Sequence, residues 1–383
     1  MPQNRLQVPS LAELRTHRSE KWRDFPSDVL PLPVAEMDFP IADPIKNLLL
    51  EMVSKSDLGY LGSIPELPAA FAAFSHRRWN WIVDPKQVHI ATDVGVAAVE
   101  VLRLITNPGD RVLINSPVYH NFSNWIKEAR LERVDIPFEQ RNTEWFLDFD
   151  AVESAYRDGV KVHLLCSPHN PLGRVYSRSE LLKLAELANT YSVVIVSDEI
   201  HGPLTYSEFT FIPFLSLGAS AESVGIVITA ASKAWNIAGL KCAILVSQSD
   251  EMNRVLRKLP IATHYRASIL GAFATATAFA EGEPWLEAVI AELDLSRKLL
   301  KKLLENHLPH LKYELPQNSY LAWINFSETG LEHPARVLLE RGKVAVVAGS
   351  GFGPASKDFV RLNFATSPEI LTEAVERMAV ALR

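Results

Sequence analysis

The sequence predicts an α/β fold: a mostly parallel sheet flanked by helices, with a smaller α+β layer assembled from the two chain ends. Three observations carry this. Between about residues 85 and 250, short β-branched runs alternate with longer amphipathic ones, the rhythm of βαβ units. At 383 residues the chain exceeds one minimal domain and suits a large domain plus a smaller one. The flanks lose the alternation: residues 1–42 are rich in proline and polar side chains, and from about residue 283 a long helical stretch leads into further strand-like runs. The expected division is therefore 43–282 for the large domain, and 1–42 with 283–383 for the small one.

Taken in order, VHIAT from Val88 reads as a strand before the helical run Val94 to Thr106. RVLINSP from Arg111 precedes a helix through Trp125, and KVHLLCSP from Lys161 precedes a helix starting after Ser177. Ser177 and Glu180 have the spacing of a capping box, and Leu181, Leu184, Ala185 and Ala188 recur at helical spacing on the face that would meet the sheet. SVVIVSDEI from Ser192 and GIVITAAS from Gly225 continue the series. In the C-terminal flank, YLAWINF from Tyr320, KVAVVAG from Lys343 and FVRLNFA from Phe359 read as strands of the second layer.

Composition excludes several classes. Net charge is −6, without the basic footprint of a nucleic-acid binder, and the KKLL cluster at Lys301 reads as the solvated face of a helix. No run approaches the roughly 18 apolar residues of a membrane span, and MPQNRLQVPS lacks the apolar core of a secretory signal. The two cysteines, Cys166 and Cys242, sit in apolar runs without metal-ligand spacing, so buried reduced thiols, a cytoplasmic location and no metal are expected.

In a parallel sheet, ligands bind beyond the carboxyl ends of the strands. Tyr119, Asn170, Asp198 and Lys233 each follow or end a predicted strand, so all four fall at one sheet edge. A lysine just past a buried strand can lose hydration, which lowers its pKa and favours the free amine that attacks carbonyls. The same position also suits a simple phosphate or solvent contact. Asp198 closes an apolar strand and needs a partner: a protonated pyridine nitrogen, a helix N-terminus or a metal. The metal-bound nucleotide version lacks its GxxxxGK[ST] loop here. GSGFGP from Gly349 superficially suggests a dinucleotide loop, but SKDFVRLNF follows it rather than a helix, so it reads as a turn into the next strand.

ASKAWNIAGLKCA, SPHNPLGRVY, SDEIHGPL and FVRLNFA together resemble the signatures of fold-type-I pyridoxal-phosphate (PLP) enzymes. With VAEMDFP, the pairing of PHNPLG and SDEIH is most similar to the cystathionine β-lyase (C–S lyase) branch of MalY/PatB type, over the chain from about Val34 onward. The resemblance implies a seven-stranded-type sheet and the cofactor pyridoxal 5′-phosphate. It implies Lys233 as the Schiff-base lysine and proton shuttle, and Asp198 at the pyridine nitrogen. Asn170 would bond the ring's phenolic oxygen and also contact the substrate, Tyr119 would stack on the ring, and Arg361 would clamp the substrate carboxylate bidentately. Taken alone, Arg361 would read as a strand-edge salt bridge.

For the cofactor phosphate, Val94, Gly95 and Val96 open a helix after a strand, where backbone N–H groups and the helix dipole suit a dianion. Ser232 and Lys241 are the side-chain candidates. Tyr60 resembles the tyrosine that reaches the phosphate from a neighbouring subunit, implying a homodimer with shared sites; otherwise it is a half-buried loop aromatic. Glu36 stands where the branch commonly has aspartate and joins the substrate side. His201, three residues after Asp198, stands where aspartate-type aminotransferases have tyrosine, and joins the cofactor set. Ala230 and Ala231 replace hydroxyl residues that many relatives place before the lysine.

The expected reaction is α,β-elimination on a sulfur amino acid such as L-cystathionine, releasing pyruvate, ammonia and a thiol. An aminotransferase shares every step up to the carbanion and differs in where the proton returns. A third possibility is a regulatory, protein-docking role with retained lyase activity.

Overall fold

The computed structural model describes residues 6–383; residues 1–5 of the N-terminal flank lie outside the described residues. Its centre is a seven-stranded sheet. In spatial order the strands are Val88–Ala91, Ala243–Val246, Gly225–Thr229, Val194–Asp198, Val160–Cys166, Arg111–Ile114 and Glu132–Asp135. All pairings from Gly225–Thr229 to Glu132–Asp135 are parallel. Ala243–Val246 runs antiparallel to both its neighbours. The βαβ rhythm anticipates the parallel part; the reversed strand follows too short a connection to show in periodicity.

The inner strands are buried throughout or nearly so, as a sheet covered on both faces requires. Helix Arg178–Tyr191 begins with the capping box expected at Ser177 and Glu180, and Leu181, Leu184, Ala185 and Ala188 are its buried face. Helix Val94–Ile105 is capped by Asp93, whose carboxylate accepts from the Val96 N–H.

The C-terminal flank forms a four-stranded antiparallel sheet ordered Lys312–Tyr313, Leu321–Asn325, Phe359–Asn363, Val347–Ala348. It follows the 25-residue helix Glu283–His307. Leu30–Pro31 pairs in parallel with Val344–Ala345, which brings the N-terminal flank against the C-terminal one. The chain then runs past the small sheet, where Asn363 N–H donates to Leu32 and Asp38 N–H to Ala365, each at 2.9 Å. A buried ion pair holds this stretch: Lys21 Nζ lies 2.8 Å from Asp38 Oδ2, and Trp22 Nε1 donates to Asp38 Oδ1 at 3.0 Å. A hairpin of Glu139–Arg141 and Glu144–Phe146, not anticipated from the sequence, packs outside the small sheet, with Trp145 against Phe359.

No described helix is long and apolar enough to cross a membrane. Both cysteines are buried and free, and burial pushes both thiols up, away from reactivity.

Candidate active site

Because the inner strands are parallel, their carboxyl ends share one edge. Asp198 ends its own strand, Asn170 lies four residues past Cys166, Lys233 four past Thr229, and Tyr119 five past Ile114. All four line a single cavity of about 1030 Å³. Arg361 enters from the small sheet, and Pro33, Val34, Ala35 and Glu36 close the cavity from the N-terminal flank.

Lys233 occupies the turn after Gly225–Thr229, and its Nζ donates to the Ala35 carbonyl at 3.1 Å. Burial, reinforced by the Arg361 charge, lowers its pKa to about 8; Glu36, Asp198 and Glu20 oppose the shift. The free amine is therefore far more accessible near neutral pH than for a solvated lysine.

Asp198 is buried, and the only partner of its carboxylate among the described residues is the Ile200 N–H at 3.2 Å. Burial raises its pKa to about 7, against the lowering effects of that bond and of Lys233. A buried carboxylate with one backbone donor is under-satisfied, and a cationic N–H partner would restore its charge.

Arg361, 4% exposed, donates through Nη2 to Pro33 O at 3.0 Å and through Nη1 to Asn170 Oδ1 at 3.3 Å. Its buried Nε has no partner among the described residues, and its guanidinium lies 5.2 Å from the centre of the Phe352 ring. Burial lowers its pKa to about 10, so it stays charged at neutral pH. It is not the surface salt bridge its strand position would suggest taken alone. The Asn170 carbonyl accepts from the Tyr119 N–H at 3.1 Å, fixing both residues at the strand ends. Tyr119 Oη accepts from Asn121 Nδ2 at 2.7 Å, and burial raises its pKa. His201 is buried with Nδ1 unpartnered among the described residues; burial and the nearby Lys233 and Arg361 charges lower its pKa to about 3, so the ring is neutral.

Val94, Gly95, Val96, Ser232 and Lys241 also line the cavity. Here the expectation needs a correction. The Val96 N–H is directed at Asp93 Oδ1, 2.8 Å away, and Lys241 Nζ lies 3.2 Å from Asp93 Oδ2. Val96 is thus committed as a helix-cap donor, which leaves Val94 and Gly95 N–H as the open donors of that first turn. A Cβ on Gly95 would lie 3.0 Å from Trp125 Nε1, so glycine keeps this approach open. Tyr60 is 92% exposed and does not line the cavity of its own chain.

Several residues that line or brace the cavity gave no sequence signal. Pro33 and Ala35 act through main-chain carbonyls, which carry no residue signature. Asn236 fastens the N-terminal flank to the lysine turn by two 2.8 Å bonds to the Met37 N–H and carbonyl. Asn363 bonds the carbonyls of Val34 and Glu36 at 2.7 and 2.6 Å. Phe352 belongs to GSGFGP, which is two short turns before the Phe359–Asn363 strand, as expected, yet its ring faces Arg361 and His120. Gly349 in that segment is required by packing: a Cβ there would lie 2.1 Å from Ser356 O.

Residues 28–378 match the family described as aminotransferase class I and II. The chain belongs to that family. Among curated members of this aminotransferase family, the cystathionine beta-lyase of Corynebacterium glutamicum is 34% identical over 98% of this chain and 100% of its own. Cystathionine beta-lyase PatB of Bacillus subtilis is 31% identical over 93% of each chain. Among solved structures, cystalysin from Treponema denticola, which contains pyridoxal 5′-phosphate, superposes with a TM-score of 0.92 at 27% identity, covering 100% of this chain and 99% of its own. The family fold is that of the fold-type-I enzymes, as the sequence motifs imply.

Proposed function

We propose that this chain is a PLP-dependent C–S lyase that performs α,β-elimination on L-cystathionine or a related sulfur amino acid, yielding pyruvate, ammonia and a thiol. The observation that carries the reading is the convergence of Lys233, Asp198 and Arg361 on one cavity: an amine with a depressed pKa, an under-satisfied buried carboxylate and a buried guanidinium. These are the needs of a cofactor aldehyde, a pyridinium nitrogen and a substrate carboxylate, so the residues present fit the group. The lyase names of the curated relatives favour elimination over transamination.

When bound, the cofactor supplies an electron-withdrawing ring conjugated to the substrate α-carbon. Lys233 would hold it covalently and, as a free amine, accept the substrate α-proton at Nζ as general base. Asp198 would keep the ring nitrogen protonated, Asn170 would bond the phenolic oxygen, Tyr119 would pack against the ring, and His201 would belong to the same set. Val94, Gly95, Ser232 and Lys241 would hold the phosphate. Arg361 would fix the substrate α-carboxylate. The Lys233 ammonium then returns its proton to the departing thiolate, so acid and base are one group. Tyr60, exposed in its own chain, is assigned to the phosphate of a partner subunit in a homodimer.

The deciding experiment incubates purified protein with L-cystathionine and no keto acid. Release of pyruvate and homocysteine is expected; strict dependence on an added keto acid would select an aminotransferase.

A further inference from the structure

Two loops deliver Tyr119 and Asn170 to the cavity, and a buried histidine that does not line it joins them. His169, 2% exposed, sits between the loops. Its Nε2 lies 2.8 Å from the carbonyl oxygen of Pro117, two residues before Tyr119, and its Nδ1 lies 3.0 Å from Tyr176 Oη. Its main chain closes the Asn170 loop: the His169 N–H donates to Arg174 O and its carbonyl accepts from the Gly173 N–H, each at 2.8 Å. Together with the 3.1 Å bond from the Tyr119 N–H to the Asn170 carbonyl, these contacts tie one loop to the other.

The partners fix the tautomer. A carbonyl oxygen only accepts, so His169 Nε2 carries a proton. Burial, assisted by the Arg174 charge, lowers the His169 pKa to about 4, so the ring is neutral. Nδ1 is then a bare acceptor, and the Tyr176 hydroxyl donates to it. Tyr176 is buried and does not line the cavity either. The Arg174 guanidinium lies 4.8 Å from its ring centre and is paired with Glu180 of the capping box. Phe138 packs edge-to-face on the imidazole with ring centres 4.7 Å apart. Side chains that grip a bound group need such support behind them, since a misplacement of about 1 Å can cost a hundredfold in rate.

We infer that His169 is a positioning residue of the cofactor site: as an Nε2–H donor backed by the Tyr176 hydroxyl, it sets the spacing of Tyr119 and Asn170 and so the slot that receives the pyridine ring. It touches neither cofactor nor substrate and moves no proton. The inference rests on the roles given above to Tyr119 and Asn170, and it holds for elimination and transamination alike.

The test titrates the full-length protein, freed of cofactor, with pyridoxal 5′-phosphate and reads the dissociation constant, the visible circular dichroism of the bound cofactor and the Tm. His169→Leu removes the donor and should weaken cofactor binding by about tenfold, the size of one lost hydrogen bond, and reduce the visible dichroism. His169→Gln, whose amide N–H reaches the place of Nε2, should retain most of both. Tyr176→Phe leaves Nδ1 without its donor and should shift both readouts in the same direction by a smaller factor. Should His169→Leu not fold, the Tyr176→Phe shift set against His169→Gln decides. Variants that lower Tm but leave the dissociation constant and dichroism native, or a His169→Gln loss as large as that of His169→Leu, would overturn the inference while leaving the lyase reading intact. Native protein that takes up no cofactor would overturn both.

Discussion

Lys233 Nζ lies 3.1 Å from the carbonyl oxygen of Ala35, a residue 198 positions earlier in the chain. The same carbonyl accepts a 2.9 Å bond from Tyr320 Oη. Removing the lysine amine therefore does not leave that oxygen unsatisfied. Lys233→Ala is expected to fold with nearly native thermal stability, to lack the visible absorption of covalently bound cofactor, and to lose activity by several orders of magnitude. A variant that keeps the band would remove Lys233 from its assigned role.

Asp198 gives a pH-dependent prediction. Its folded-state pKa is raised above the ordinary carboxylate value, to about 7. The cofactor-free folded state thus holds a proton that the unfolded chain releases. The resulting stability is present below the unfolded pKa and is lost as pH rises through the folded one. Bound cofactor would offset this by giving the anion a cationic partner. Glu199, raised to about 8 by burial and bonded to Ser197 and Phe214, contributes the same slope in both states. The gap in Tm between cofactor-loaded and cofactor-free protein should therefore widen from pH 5 to pH 8. Asp198→Asn should flatten that widening, which calorimetry across the pH range would detect.

The Lys21–Asp38 pair is almost fully removed from solvent. Breaking a buried pair by removing one partner strands the other charge, at a cost of about 3 to 5 kcal/mol. Asp38→Ala should destabilise by that order in denaturant titration. Because the pair positions the stretch that supplies Pro33 and Ala35 carbonyls, KM for substrate should rise as well. Lys21→Met with Asp38→Leu, which leaves no charge behind, should recover much of the stability but not the KM.

Tyr60 presents its side chain to solvent, away from its own cavity. If it serves a partner's phosphate, each dimer site draws on two chains. Mixing inactive Tyr60→Ala and Lys233→Ala proteins should restore activity, because one of the two sites in a mixed dimer regains both native residues. Mixed dimers verified by mass that stay inactive would count against the shared site.

By itself the sequence determined the parallel core, the capped helices and the chemistry-bearing residues at the strand ends. Strand periodicity and helix caps are local, and parallel strands with right-handed crossovers deliver their carboxyl ends to one edge without further instruction. Lys233, Asp198, Asn170 and Tyr119 were therefore legible as a group before any coordinates. Arg361 was readable only through the motif around it, since a strand arginine alone resembles a surface ion pair. What only the tertiary structure decided was the closure of the site. The Pro33 to Glu36 carbonyls meet Arg361, Lys233 and Asn363 across 198 to 329 positions of chain, through bonds that any residue type can accept. The commitment of Val96 to Asp93, the Phe352 ring under Arg361 and the facing of Glu20 and Glu36 into one cavity are likewise set by packing. Main-chain acceptors and ring placement leave no periodic trace in a sequence; they exist only once distant segments are pressed together.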